Sequence, residues 1–149
     1  TVGQANPTIG GALIRVLWSG GPLRAGGTLS LGGSSQSAGN YALGWFRGLM
    51  AARVGAGVRR GLVDFDTTIG PALLLAYADA HAAGHHVFAS IAFVVGPHLS
   101  IGLARDISVA LGGDLQVAVT EEKVVAGSTT VAQLSHFAIE AALGLSWRR

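Results

Sequence analysis

From residue 137 to residue 149 the chain alternates almost without error. Phe137, Ile139, Ala141, Leu143, Leu145 and Trp147 fall on one side, and Ala138, Glu140, Ala142, Gly144, Ser146 and Arg148 on the other. A period of two puts these sets on opposite faces of an extended strand. A soluble sheet usually exposes Lys, Glu and Thr on its wet face, whereas the second set here is mostly Gly, Ala and Ser. The pattern predicts a barrel strand with an apolar exterior and a narrow, filled interior.

The same reading carries along the chain. Strands are predicted over 8–18, 23–31, 41–55, 63–77, 87–95, 99–119 and 137–149, punctuated by Gly, Pro and Ser clusters. Short turns are expected at 19–22, 59–61 and 96–98, and longer connections near 32–40, 80–86 and 120–135. The 99–119 stretch keeps one parity throughout, which favours one long strand whose far part projects as a hairpin beyond a membrane. A turn at Gly112-Gly113-Asp114 would raise the count to eight. Two stretches also suit helices, 71–83 with Pro71 near its start and 129–144 with its good helix formers; the alternation flanking both favours strands.

The expected fold is therefore all-β: an antiparallel up-and-down meander forming a transmembrane barrel of about eight strands, seven of them visible. Short turns gather at one end of such barrels and long loops at the other. Seven strands leave the first and last running the same way, so the single domain 1–149 is expected to need one more strand, upstream or from a protein partner.

Composition agrees with a membrane location. Half of the 149 residues are apolar, 12% are charged and 23 are glycine, with a mean hydropathy of +0.49. Soluble domains carry about twice that share of charge. No run approaches the roughly 20 apolar residues that a membrane helix needs, and alternation explains how high hydropathy arises without one. Nine of the ten basic residues are Arg and they are dispersed, which argues against a nucleic-acid partner. There is no Cys, so thiolate metal sites and disulfides are excluded.

Candidate functional residues follow from the parity. Arg24, Asp64, Asp66, Asp106 and Glu140 fall on the inner face, where charges must be paired; they are expected to form a lumen network that fixes register. Arg105 falls on the apolar face and is expected near an interface. Trp18, Tyr41, Tyr77, Phe137 and Trp147 stand at strand ends, as membrane–water interfaces select. His81, His85 and His86 could ligate Zn or Ni with Asp79 only if a helix put them on one face, so no metal and no cofactor is expected.

The C-terminus resembles the terminal assembly signal of bacterial outer-membrane proteins, in which a glycine is followed three residues later by an aromatic and then by a final aromatic. Gly144 and Trp147 match, while Arg149 stands where the last aromatic belongs. The 96–104 segment is similar to the turn and strand start of small Gly/Ala-rich barrels of high-GC bacteria. The resemblance implies the bacterial outer membrane as location, with the lipid bilayer and the barrel-assembly machinery as partners and a structural, anchoring or interaction role. His98-Leu99-Ser100 also resembles the His-x-Ser of outer-membrane lipid A deacylases, in which His98 would act as base and Ser100 as nucleophile. A soluble up-and-down barrel holding an apolar ligand is the further alternative; it needs large apolar side chains inside and charge outside.

Overall fold

The computed structural model describes residues 10–38, 41–80, 84–104, 107–120, 122–126, 129–134 and 136–147. The strands are β1 (Gly10–Gly20), β2 (Leu23–Ala38), β3 (Tyr41–Arg60), β4 (Val63–Ala80), β5 (Gly84–Gly102), β6 (Ile107–Ala118), β7 (Glu122–Ala126), β8 (Thr129–Leu134) and β9 (Phe137–Trp147). Seven of them form one antiparallel meander in the order β1-β2-β3-β4-β5-β6-β9, curled into a half-barrel. Among the described residues, the strands β7 and β8 pair only with each other, as a hairpin inserted between β6 and β9. The all-β meander expected from the alternation is what forms, and the two stretches that also suited helices contribute strand where described: 71–80 to β4, and 129–134 and 137–144 to β8 and β9.

Two tight turns lie at one end of the sheet, at Gly21-Pro22 and Gly61-Leu62, each with its glycine at positive φ. That conformation at the first central residue matches a primed hairpin turn, whose twist suits the flanking strands. The link between β5 and β6 lies at the same end, while the β2–β3, β4–β5 and β6–β9 connections lie at the opposite end. The polar segment expected to loop over 32–40 instead continues β2 as far as Ala38.

The expected turn at 96–98 is a correction. Gly96, Pro97 and His98 lie inside β5 and pair with Thr68, Thr67 and Asp66 of β4. The real break comes at 103–106, so 99–119 is not one strand but the end of β5, a connection and β6. Parity runs on through that break because paired residues share a face: Ile101 opposes Val109, and both are odd. Gly112-Gly113-Asp114 likewise lies within β6 and is not a turn.

The Gly-Pro steps mark gaps in the ladder. Pairing between β3 and β4 skips from Ala51↔Ala72 to Val54↔Ile69, opposite Gly70-Pro71. Pairing between β5 and β6 skips from Val95↔Leu115 to His98↔Gly112, opposite Gly96-Pro97. Proline has no amide to donate there, and glycine lets the neighbouring backbone close in. A Cβ on Gly70 would overlap the Ala52 carbonyl, and one on Gly96 the Gly113 carbonyl and the Asp114 carboxylate. The two gaps thus frame Arg53 and Asp114.

The two faces of the sheet are opposite in character. On β4, Asp66, Thr68, Gly70, Ala72, Leu74, Ala76 and Ala78 are buried on the concave side, while Phe65, Ile69, Leu73, Leu75 and Tyr77 are exposed on the convex side. The convex face continues through Ile14, Val16, Met50, Val54, Ile91, Phe93 and Leu143. Inside, Leu49, Ala51, Ala72, Leu74, Ala92 and Val94 form a small apolar cluster, further from the tight turns than Arg53, Asp66 and Asp114.

Candidate functional site: an ion-pair network on the concave face

The densest chemistry sits beside the two ladder gaps. Arg53 of β3 donates from Nη1 to Asp114 Oδ1 at 2.8 Å and from Nη2 to Oδ2 at 2.5 Å. This is a two-point guanidinium–carboxylate pair across the lumen, with side chains only 1% and 4% exposed. Arg15 of β1 donates to Asp66 Oδ1 on β4 at 2.6 Å and to the Thr68 hydroxyl at 3.2 Å. Thr68 also accepts from Arg53 at 3.3 Å, so one hydroxyl joins the two pairs.

His98 completes the chain of groups. Its Nδ1 lies 3.6 Å from Asp66 Oδ1 and its Nε2 3.6 Å from Asp114 Oδ1, beyond hydrogen-bond length but well within electrostatic reach. The sequence of contacts Arg15–Asp66–His98–Asp114–Arg53 thereby ties together five of the seven sheet strands. Nearer the tight turns, Arg24 donates to Asp64 at 3.0 Å and to the Gly21 and Leu23 carbonyls. Near β9, Gln116 donates to Glu140 at 2.6 Å. Such side chains fill the lumen of a narrow barrel.

Part of this network is visible from strand parity. Arg24, Asp64, Asp66 and Glu140 face inward as expected, with Arg24–Asp64 a direct pair. Asp106 and Arg105 lie outside the described residues. Arg15, Arg53 and Asp114 are members that the alternation does not single out, and His98, expected in a turn, lies within β5. In β1 and β3 apolar residues occupy both faces (Leu13 and Leu17, Leu49 and Ala51 point inward), so alternation does not flag the arginines among them. The available signal was an Arg within an apolar strand opposite a Gly-Pro step.

His98 and Ser100 stand on one face of β5, but both ring nitrogens of His98 are directed at Asp66 and Asp114, and both carboxylates are held by arginine. The geometry does not direct the imidazole to the hydroxyl. His85 and His86 alternate on β5 and so point to opposite faces; His85 stacks on Tyr77 and His86 on Phe88. His81 lies outside the described residues, and no group of three His, Cys, Asp or Glu able to hold a metal occurs among the described ones.

Of the strand-end aromatics, Trp18 and Phe137 are exposed on the convex side at opposite ends, and Tyr77 is partly exposed beside the β4–β5 connection. Tyr41 begins β3 and Trp147 ends β9, with side chains outside the described part; Gly144 lies in β9. Trp45, not singled out by its position, is buried on the concave face. No family model, curated protein or solved structure matches the chain.

Proposed function

We propose that the protein is a small β-barrel of the bacterial outer membrane, with a structural, anchoring or interaction role and a lumen closed by its own side chains. The observation that carries this reading is the inversion of the two faces. Large apolar side chains cover the convex surface, whereas Arg15, Arg24, Arg53, Asp64, Asp66 and Asp114 point inward. A continuous exposed apolar surface of this extent is foreign to water-exposed monomers. An apolar-ligand carrier in water needs the reverse distribution.

Dimensions support the reading. The outward apolar residues of β4 run from Val63 to Tyr77. At about 3.3 Å per residue this is roughly 45 Å of strand, or about 33 Å along the barrel axis at a tilt of ~45°. That matches the ~30 Å hydrocarbon layer. Strands β2 to β5 are 16 to 20 residues long, more than the roughly 9–11 residues a crossing needs. Their extra length carries them past the layer at the end away from the tight turns. The β-signal-like Gly144 and Trp147 fit assembly by the barrel-assembly machinery, and no step of chemistry is assigned to His98 or Ser100.

The test is reconstitution. Refolded chain is expected to float with phosphatidylcholine–phosphatidylglycerol vesicles and to resist carbonate extraction. Planar bilayers containing it should show no steady ion current, because the network crosses the concave face from β1 to β6 and obstructs it. Recovery of a soluble monomer in detergent-free buffer would defeat the membrane reading, and a sustained current would defeat the closed lumen.

A further inference from the structure

We infer that the space between β1 and β9 is the seat of one extended β-segment, antiparallel to both strands, about 11 residues long, apolar at outward positions and small at inward ones, with no acid on its inner face. The inference rests on the membrane reading, because only in lipid must every backbone amide at these edges find a partner.

The two edges fit one strand. In a seven-stranded meander the first and last strands run in the same direction, so a strand antiparallel to one is antiparallel to the other. Both β1 and β9 are 11 residues long. Neither pairs on its outer edge among the described residues. One hollow is lined from both sides, by Leu13, Arg15 and Leu17 on β1 and by Glu140, Ala142 and Gly144 on β9.

Hydrogen-bond phase agrees. Ala118 N–H donates to the His136 carbonyl, so even-numbered residues of β9 turn toward β6 and the odd, outward-facing ones turn to the open edge. Gly20 and Leu23 flank a two-residue turn, so even-numbered residues of β1 turn toward β2 and the odd, inward-facing ones turn to the open edge. In one inserted antiparallel strand, outward residues bond one neighbour and inward residues the other, and these edges ask for that division. The charges nearest the hollow already have partners: Arg15 holds Asp66, and Glu140 accepts from Gln116. Gln116 is a neutral donor, so an inward acid would be buried against the Glu140 carboxylate, and an inward cation has a counter-ion only there; elsewhere the inner face is set as neutral.

The probe is a synthetic peptide with the sequence of Ile107–Ala118 carrying Asp114→Asn. It has the required alternation and copies a strand already antiparallel to β9. Amide exchange is followed in vesicle-bound protein with and without it. Leu13, Arg15 and Leu17 on β1 and Ile139, Ala141 and Leu143 on β9 are expected to exchange freely alone and to slow by about tenfold or more with the peptide. A peptide of the same composition with scrambled alternation should change nothing. Protection of both edges in the peptide-free protein at every concentration would overturn the inference in favour of a direct parallel β1–β9 seam. Protection that rises with protein concentration would overturn it in favour of a second copy. Peptide binding without protection of both edges would overturn it too. Should the chain fail to enter vesicles at all, the membrane reading itself falls, a result separate from any of these.

Discussion

Arg53→Ala is expected to cost about 3–5 kcal/mol of folding stability, the range for breaking one side of a buried ion pair. The reason is Asp114, whose side chain is 4% exposed and takes both its strong bonds from Arg53. Without the guanidinium, its carboxylate stays buried beside Gly96, with the more distant Arg15 as the other arginine near enough to attract it. Asp114→Ala should be comparably harmful, since it strands Arg53. Arg53→Met combined with Asp114→Leu should recover much of the loss, because neither charge then needs a partner. Arg53→Lys should fall between, since an ammonium cannot make the two-point contact. Urea titrations of vesicle-folded protein give these values. Equal losses for the single and double variants would show that the pair does not act as a unit.

Ile69→Arg is the second large expectation, and it acts on the outside. Ile69 is about half exposed, points outward and is flanked by Val54 and Val95 in the neighbouring strands. It stands near the middle of the apolar run on β4. An Arg at the bilayer midplane costs about 2–4 kcal/mol, falling to about 0–1 near an interface. Ile69→Arg is thus expected to destabilise the vesicle-folded protein by that larger amount and Val63→Arg, at the end of the run, by the smaller. In water an exposed substitution of this kind stays within about 0.5 kcal/mol. A position-independent, near-zero effect in vesicles would mean that the convex face does not meet lipid.

Much of this architecture is written in the alternation. In β9, and in β4 apart from the inward Leu74, large apolar and small residues separate by parity, so the strands, their two faces and the inward direction of Asp64, Asp66 and Glu140 could be read directly. The reading failed where one residue type carries two meanings. Gly96-Pro97 punctuates a chain as a turn does, but here glycine removes a Cβ and proline an amide at a ladder gap, and the strand continues past both. The four-residue link after Gly102 is invisible to parity because Ile101 and Val109 share a face. Arg15 and Arg53 were hidden for a different reason: their inward neighbours are Leu13, Leu17, Leu49 and Ala51, as apolar as the outward ones. Only the register across β1, β3, β4 and β6 brings those arginines onto Asp66 and Asp114.

The central claim, that the convex face meets lipid and the concave face meets neither lipid nor bulk water, can be tested along one strand. The chain has no cysteine of its own, so single cysteines from Phe65 to Ala76 on β4 can each carry a nitroxide in vesicle-bound protein. Collision rates are then measured with oxygen, which concentrates in lipid, and with a polar nickel chelate, which stays in water. The account predicts a period of two. Odd positions should meet oxygen freely, with the nickel chelate least effective around Ile69, and Thr68, Leu74 and Ala76 should be shielded from both. Nickel reaching Ile69 and Leu73 as readily as oxygen does would contradict it.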